Sequence, residues 1–440
     1  MKLSCILVIL FIFTSCSLDN KTGIWKDYNS IETTKDSLFK DFKKISTSAE
    51  TFNSIIRLNK NFDFKLSNIV SNSKWNDLFY SNSNNFENFK YNDNNQLLFQ
   101  SKKLTKYNPN KYLLYENKNI IFNDQKGNLI TYSIEKKEII SKFNFYKKRY
   151  KNLKKNLNLI VNQNIIYVSD NLGYLYAYNF ETRKLLWAKN YKIPFKSNLK
   201  IFNNVIIAAN LKNNIFFFNI VNGEILKSIP TEETVVSNQF VNNFSIKNNT
   251  LFFLNSFGSL YSLNINLRKI NWFINLNQSL ELTTSDLFNG SQIVNHKNRI
   301  VVSANKRFYL IDSLTGSIIS FKNFQINLKP IINKEYIFLL TDNNFLTALN
   351  LETGDILYAY DIKIDISKFL KNKKKLNFSD FFLANNKIIV LFNNSYIATF
   401  NINGKLQKIN KLSSKIKTKP IFINGSIFYL NKKNKLIIVD

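Results

Sequence analysis

One pattern of apolar and polar positions recurs along the chain from about residue 120 to Asp440. Each copy has a short apolar strand, a polar turn, a second strand that ends in a small polar residue, another turn and an aliphatic or aromatic strand. The clearest copies run from Asn164 to Trp187, from Asn249 to Trp272 and from Tyr336 to Tyr358. The strands are apolar on both parities, which predicts strands that are buried on both faces.

The small polar residue that closes the second strand sets the period of the repeat. It falls at Ser133, Asn179, Asn219, Asn264, Asp312, Asn350, Asn401 and Asp440. The steps range from 38 to 51 residues and average about 44, the length of a four-stranded propeller blade. The sequence therefore predicts an all-β protein, an eight-bladed β-propeller of four-stranded antiparallel blades over residues 61–440. Several separate β-sandwiches would not require one recurring unit.

Two positions of the repeat have a predicted packing role. An Asn or Asp that closes a strand can accept a hydrogen bond from the backbone two residues further on and start the next turn. Eight residues after it come Trp187, Trp272 and Tyr358, large rings that can cover the seam with the next blade.

The last repeat reaches Asp440 before its outer strand begins, so the ring needs a strand from elsewhere. The segment from about Phe62 to Gln100 precedes the first full repeat. We expect this segment to pair beside residues 436–439 and to close the propeller.

The first residues predict export. Met1-Lys2, an apolar run from Leu3 to Phe13 and the small residues before Cys16 form a signal peptide over residues 1–15, too short to span a bilayer. The end of this segment resembles the bacterial lipobox, which implies that Cys16 carries acyl chains such as palmitate. An ordinary signal peptide with an incidental Cys16 is the alternative. Residues 16–60 are predicted to form a lipidated tether with a short helix within residues 36–45.

The amino-acid composition limits which partners, metals and cofactors we expect for this protein. Lys and Arg number 61 against 30 Asp and Glu, a net charge of +31, which suggests nucleic acid or anionic membranes as partners. An exported protein does not meet the chromosome, so nucleic acid is excluded, and the evenly spread Lys and Asn are attributed to a compositional bias. One His and two Cys exclude a Cys/His zinc site, and we expect neither a metal nor a cofactor.

The fragments Leu175–Trp187 and Leu346–Tyr358 resemble the quinoprotein-type repeat, L-x-A-x-[DN]-x-x-T-G-x-x-x-W. With the lipoprotein signal and eight repeats, the chain resembles the B-subunit lipoproteins of the outer-membrane β-barrel assembly machinery. This resemblance implies a non-catalytic scaffold, anchored by lipid to the outer membrane and facing the periplasm. One face would bind the central barrel subunit of the machinery and help to deliver nascent outer-membrane proteins, with sheet-edge pairing as a physical route.

Relatives in that family use a D-V-D stretch in a loop to bind the central subunit. The nearest match here is Asp286-Leu287-Phe288, so the resemblance implies a partner contact at Asp286 and Phe288, although Phe288 departs from the second acid. The alternative is that Asp286 is an ordinary solvated loop residue.

Two other functions remain open. A quinone-dependent dehydrogenase shares the repeat, but it needs calcium ligands, a general base and a cradle for the quinone, and 10 Gly leave few tight turns. A lipid-anchored propeller that binds envelope glycan is the other. His296, the single histidine, lies in a predicted turn and is expected to be a surface group.

Overall fold

The computed structural model describes residues 52–233, 240–277, 288–326, 328–370 and 378–440, together with the backbone of two short strands nearer the N-terminus. These strands, β1 (Cys16–Leu18) and β2 (Trp25–Asp27), pair antiparallel with Cys16 opposite Asp27. They belong to a separate unit, Met1–Glu50. The predicted signal peptide and the predicted helix at residues 36–45 lie outside the described residues.

Residues 51–440 form the second unit, a ring of eight blades in which successive strands pair antiparallel. Two strands precede the first blade: β3 (Asn88–Phe89) and β4 (Leu97–Lys103). Blade 1 consists of β5 (Leu114–Glu116), β6 (Asn119–Asn123), β7 (Asn128–Ser133) and β8 (Glu138–Asn144). Blade 2 consists of β9 (Leu157–Asn162), β10 (Ile165–Asp170), β11 (Tyr174–Asn179) and β12 (Lys184–Asn190). A 3₁₀ turn, Lys148–Tyr150, connects them.

Blades 3, 4 and 5 continue the same order. Blade 3 consists of β13 (Lys200–Phe202), β14 (Val205–Ala209), β15 (Ile215–Asn219) and β16 (Ile225–Ile229). Blade 4 consists of β17 (Asn243–Lys247), β18 (Thr250–Leu254), β19 (Ser259–Asn264) and β20 (Lys269–Asn275). Blade 5 consists of β21 (Val294–His296), β22 (Arg299–Ala304), β23 (Arg307–Asp312) and β24 (Ile318–Lys322).

Blades 6, 7 and 8 complete the ring, with one helix, α1 (Ile362–Leu370), after blade 6. Blade 6 consists of β25 (Ile331–Asn333), β26 (Tyr336–Leu340), β27 (Phe345–Asn350) and β28 (Ile356–Asp361). Blade 7 consists of β29 (Phe378–Ala384), β30 (Lys387–Phe392), β31 (Tyr396–Asn401) and β32 (Leu406–Lys411). Blade 8 contains β33 (Ile421–Ile423), β34 (Ser426–Leu430) and β35 (Lys435–Val439). The predicted eight-bladed propeller is confirmed. Among the described residues, no helix is long and apolar enough to cross a membrane.

The two ends of the ring differ in what they present. Each blade begins with its inner strand at one end, which we call the entry end. Because the strands alternate in direction, the turns that follow the first and third strands of every blade lie at the opposite end, which we call the turn end. The second and third strands are almost wholly buried, as β7 and β19 illustrate, and their side chains form the packing between blades.

The predicted closing residues occupy the end of the third strand in each of the first seven blades. Asn179 Oδ1 accepts hydrogen bonds from the backbone N–H of Glu181 at 3.0 Å and of Thr182 at 2.9 Å. Asn350 and Asp312 cap their turns in the same way. The short polar side chain therefore satisfies the first donors of the turn, as its repeated position predicts.

The predicted role of the large rings is also confirmed. The indole Nε1–H of Trp187 donates to Ile220 O of the next blade at 3.2 Å, and Trp272 donates to Ser313 O at the same distance. Gly223 has a φ of +75°, and a Cβ there would lie 2.6 Å from the Trp187 ring. The turn of the next blade thus needs glycine, both for its backbone conformation and to seat the tryptophan.

Closure of the ring by the N-terminal segment is confirmed as well. Strand β4 pairs antiparallel with β35, and Phe99 lies opposite Ile438 while Leu97 lies opposite Val439. Ser101 Oγ accepts a hydrogen bond from the backbone N–H of Leu436 at 2.8 Å. Blade 8 thereby gains its fourth strand from residues more than three hundred positions earlier in the sequence.

Within the described residues, contacts with the ring are already present at Phe52, ahead of the boundary that the sequence set at residue 61. The N–H of Phe52 donates to Asn323 O at 2.9 Å. Ile56 and Ala359 exchange two backbone hydrogen bonds, of 3.0 and 2.9 Å, so the chain adds one bridge to the outer strand β28 of blade 6. This outer edge therefore accepts an extended segment of polypeptide.

Candidate functional site: a plug in the central channel

The inner strand of a propeller blade leaves one backbone edge without a partner strand, and these edges face the axis. Here residues 72–92, which we call the plug, follow those edges around the ring. The contacts run in blade order from 1 to 8: Trp75–Tyr115, Asn76–Val161, Asp77–Lys200, Asn82–Ile246, Ser83–Asn295, Asn85–Ile332, Phe89–Asn385 and Asn92–Gly425. One short segment thus satisfies donors or acceptors of every blade.

Asparagine side chains replace a strand in much of this bonding. Asn84 Nδ2 donates to Phe244 O at 2.9 Å and to Ile293 O at 2.8 Å, which joins blades 4 and 5. Asn85 both donates to and accepts from the backbone of Ile332, at 2.7 and 2.9 Å. An amide side chain carries a donor and an acceptor, as the backbone does, and asparagine tolerates the φ of +60° at position 84.

Lys200 holds the plug to blade 3 by charge. Its side chain is fully buried, and its Nζ donates to Asp77 Oδ2, Ser81 O and Asn84 Oδ1, each at 2.7 Å. Burial lowers the pKa of Lys200, and the neighbouring Asp77 carboxylate opposes that shift. All three protons of the ammonium group have acceptors, so the charge is compensated in place.

Aromatic rings fill the axis beside this polar contact. Trp75 is buried among Tyr80, Phe86, Phe89 and Phe382, with ring centroids 4.7 to 6.5 Å away. Phe89 also stacks on the Phe422 ring of blade 8 at 5.6 Å. The apolar half of the plug therefore forms part of the main core of the molecule.

A second group of charges lies next to these rings. Lys329 Nζ donates to Phe79 O at 2.8 Å and lies 3.3 Å from the centre of the Phe86 ring. Lys419 Nζ lies 3.0 Å from Asp380 Oδ2. Burial lowers the pKa of Lys329 well below its ordinary value, and Asp380 opposes that shift. A cavity of about 30 Å³ between these groups is large enough for a water molecule.

A larger chamber of about 640 Å³ opens at the entry end, above the plug residues Leu78 and Phe79. One polar residue near the start of each of several inner strands lines it: Tyr112, Asn158, Asn198, Asn243 and Gln292. A smaller cavity of about 310 Å³ lies on the other side of the plug, beside Asn72 and Tyr80. The plug therefore separates the two ends of the axis.

The predicted partner residues lie at the wall of this chamber or outside the described part of the chain. Phe288 is 4 % exposed and packs edge-on against Phe240, with centroids 4.9 Å apart. Asp286 falls outside the described residues. Phe288 therefore holds the loop to the ring, and the partner contact at Asp286 and Phe288 stays a prediction.

Two sequence candidates remain, Cys16 and His296. Cys16 is described only as the first residue of β1, so its acylation stays a prediction. His296 ends β21 and is half-buried; burial lowers its pKa, and the nearby Lys297 and Lys247 add to this effect.

Sequence reasoning missed the plug. Its signal is the run Ser81-Asn82-Ser83-Asn84-Asn85, which has no strand or helix periodicity and merges into a chain rich in Asn throughout. The abundance of Asn was attributed to composition, yet in this segment three neighbouring Asn residues serve as backbone partners for inner strands.

Comparison with known protein families identifies a matching family for this chain. The family profile described as outer membrane protein assembly factor BamB matches residues 138–360, just over half of the chain. No curated protein gives a significant sequence match.

Solved structures share the ring at low sequence identity. The structure of BamB from Moraxella catarrhalis has a TM-score of 0.62 at 12 % identity and covers 78 % of this chain and 99 % of its own. The quinohemoprotein alcohol dehydrogenase from Comamonas testosteroni has a TM-score of 0.61 at 9 % identity and covers 83 % of this chain and 80 % of its own. These likenesses show the fold alone. The family match over more than half of the chain, together with the eight-bladed ring, shows that the chain belongs to the family of the outer membrane protein assembly factor BamB.

Proposed function

We propose that this protein is a non-catalytic scaffold lipoprotein of the outer-membrane β-barrel assembly machinery. It binds the central barrel subunit and helps the insertion of nascent barrel proteins. The observation that carries the proposal is the plug, which occupies the axis with the chain's own residues in a member of the BamB family. A ring whose axis is filled presents its ends and its outer edges as the surfaces available to partners.

The donors around the axis do not fit the cofactor of the quinoprotein enzymes. A quinone with calcium needs several carboxylate and amide oxygens and a flat cradle. Within the described ranges, no cluster of three His, Cys, Asp or Glu side chains could hold a metal ion. Asp380, beside the axis, is engaged by Lys419 at 3.0 Å, and Trp75 and Phe86 occupy the adjoining space. This disagreement favours a scaffold over a dehydrogenase.

The entry end is the surface that we assign to the central subunit. Phe288, two residues after Asp286 in the sequence, lines the chamber at this end, and its buried ring packs against Phe240. In this proposal Asp286 supplies the charge that the partner recognises, and Phe288 anchors the neighbouring chain.

The outer strands supply a route for nascent proteins. The bridge between Ile56 and Ala359 is an example of an extended segment that adds to an outer strand of this ring through backbone hydrogen bonds. A nascent barrel protein consists of strands before it closes, and it can pair with such edges in the same way. Acyl chains on Cys16 would hold the scaffold on the periplasmic side of the outer membrane, where this substrate is inserted.

Purification from mild detergent tests the proposal. We expect the tagged full chain to recover the central barrel subunit and to lose membrane attachment when Cys16→Ser removes the acylated residue. Asp286→Lys should reduce recovery of the subunit by at least about tenfold, since it reverses the proposed recognition charge. Asp342→Lys, at an exposed acid of the entry end, is the control of matched charge and should have no effect.

Recovery of envelope glycan without the barrel subunit would contradict the scaffold function. The chamber gives that second candidate its support, because the amide of the half-buried Asn158 lines it and can hydrogen-bond a sugar hydroxyl. Reduction of a dye with alcohols after addition of calcium and quinone would instead establish an enzyme.

A further inference from the structure

The turns after the third strand of each blade have the same hydrogen bonding but different side chains at their tips. In blades 1, 2 and 6 the exposed residue two positions after the closing residue is Glu135, Glu181 and Glu352. In blades 3 and 5 it is Val221 and Leu314; in blade 4 it is Asn266, and the exposed Leu267 follows it. Two blades thus have an aliphatic residue where others have an acid, and the blade between them has one at the next position.

These aliphatic tips are among the most exposed apolar side chains of the described chain. Val221 is 76 % exposed, Leu267 67 % and Leu314 68 %. The turn itself does not require them, because the N–H of Val221 bonds to Asn219 Oδ1 at 2.8 Å, just as the N–H of Glu352 bonds to Asn350 Oδ1 at 2.7 Å. Folding therefore does not explain why these positions are aliphatic.

The start of the outer strands extends the apolar surface. Ile225 in blade 3, Ile270 in blade 4 and Ile318 in blade 5 are all exposed and follow directly on the three tips. By contrast, the outer strand of blade 6 is covered in part by the N-terminal segment, at the bridge between Ile56 and Ala359, and its Ile356 is only half-exposed. Exposed aliphatic side chains concentrated at one end of neighbouring blades are typical of an interaction surface.

Basic residues lie beside the tips of blades 3 and 4. Lys227 lies in the outer strand of blade 3, and Arg268 and Lys269 lie in the turn and at the start of the outer strand of blade 4. Of the acids in the same turns, Asp312 is paired with Arg299 at 3.2 Å and Glu224 is exposed, so the basic residues still outnumber the exposed acid. Aliphatic tips within a basic surround are the pattern of proteins that lie on anionic membranes, since the tips enter the headgroup boundary while the cations bind phosphates.

We propose that Val221, Leu267 and Leu314, with the basic residues around them, form a docking surface for an anionic lipid bilayer. The surface lies at the turn end, opposite the chamber and Phe288. A ring seated on a membrane through blades 3, 4 and 5 would keep its entry end directed away from the lipid and open to partners. This contact is separate from the acyl chains of Cys16 and does not depend on the proposed role in barrel assembly.

Vesicle flotation of the full chain tests the surface once Cys16→Ser has removed the anchoring residue. The probe is a vesicle of phosphatidylethanolamine and phosphatidylglycerol, with pure phosphatidylcholine as the neutral comparison. We expect the protein to float with the anionic vesicles at low salt. The triple variant Val221→Glu, Leu267→Glu, Leu314→Glu should bind them at least about tenfold more weakly.

The triple variant should fold, because blades 1, 2 and 6 have glutamate at the positions equivalent to Val221 and Leu314, and Leu267 is 67 % exposed. Leu153→Glu changes another exposed leucine, 48 % exposed, in the connection between blades 1 and 2, and it should float like the parent. Flotation of the triple variant equal to the parent, or equal binding of the parent to both vesicle types, would overturn the lipid assignment. A parent that does not float would also overturn the lipid assignment. If the triple variant then also lost the barrel subunit in the detergent purification, the surface would bind protein instead.

Discussion

Lys200 Nζ lies 2.7 Å from Asp77 Oδ2, a contact between residues 123 positions apart that joins the inner strand of blade 3 to the plug. Neither side chain has appreciable access to solvent. The plug is therefore part of the folded ring and not a loop lying on its surface.

Replacing Lys200 by methionine should destabilise the protein by roughly 3–5 kcal/mol, because it leaves the Asp77 carboxylate buried without its cation. Urea unfolding measures the change. Lys118→Met removes a comparable ion pair, with Glu135 at 3.3 Å, but both partners are largely exposed, and we expect a loss below about 1 kcal/mol. Equal losses for the two variants would contradict the importance of the buried pair.

The side chain of Asn84 should matter more than that of its neighbour Asn82. Asn84→Gly removes the donors to Phe244 O and Ile293 O and the acceptor for Lys200, while glycine still tolerates the positive φ. We expect a loss of about 3 kcal/mol in the free energy of unfolding. Asn82 contacts blade 4 only through its backbone oxygen, so Asn82→Gly should cost less than about 1 kcal/mol. Similar values for both would mean that the amide bonds of Asn84 add nothing.

The closing strand β4 should be essential to the ring. Replacing the seven residues of β4 by a glycine and serine linker of equal length keeps the plug connected but removes the strand that pairs with β35. The melting temperature should fall by at least about 5 °C, and the exposed edge of β35 should promote self-association, visible in gel filtration. Leu98→Ser, at an exposed position of the same strand, is the control and should leave both unchanged. A linker variant that melts like the parent would disprove closure by this strand.

Lys329 predicts a rise in stability with pH. Burial depresses its pKa in the folded protein below the ordinary value of 10.5, so the unfolded chain binds more protons between those two values. The free energy of unfolding should therefore increase as the pH rises from neutral toward 9.5, below the ordinary tyrosine pKa of 10.0. The free energy of unfolding of the Lys329→Met variant should rise less over this pH range, because the titration of Lys329 no longer contributes. Parallel pH profiles of unfolding free energy for the parent and the variant would contradict this prediction.

The repeat made the ring predictable from the sequence, whereas no sequence pattern predicted the plug. Residues such as Asn179 and Trp187 recur at fixed offsets because each blade solves the same packing problem, so blade number and seam contacts follow from one unit. The need for a fourth strand in blade 8 likewise pointed to the segment that contains Phe99. The plug residues contact different sets of blades, so Asn84 and Asp77 have no counterpart in any repeat. Their bonds depend on positions that only the closed ring brings together.

Phe288 shows a related limit. The resemblance of Asp286-Leu287-Phe288 to the D-V-D stretch of the family implies a partner contact, which stays a prediction, while the structure buries the Phe288 ring against Phe240. An aromatic residue at a loop end can face the core or solvent with the same local pattern, and only the packing of neighbouring blades decides between them.

The course of the plug has a kinetic consequence. Residues 72–92 are synthesised before any blade, yet their partners extend to Gly425, and β4 pairs with Val439. Folding slows as the sequence separation of native contacts grows, because chain entropy is lost before the contacts form. We therefore expect the protein to complete its fold only after nearly all of the chain has been released, with the aromatic side chains of the plug exposed until then. Until the ring closes, these apolar side chains remain open to aggregation or to capture by a chaperone.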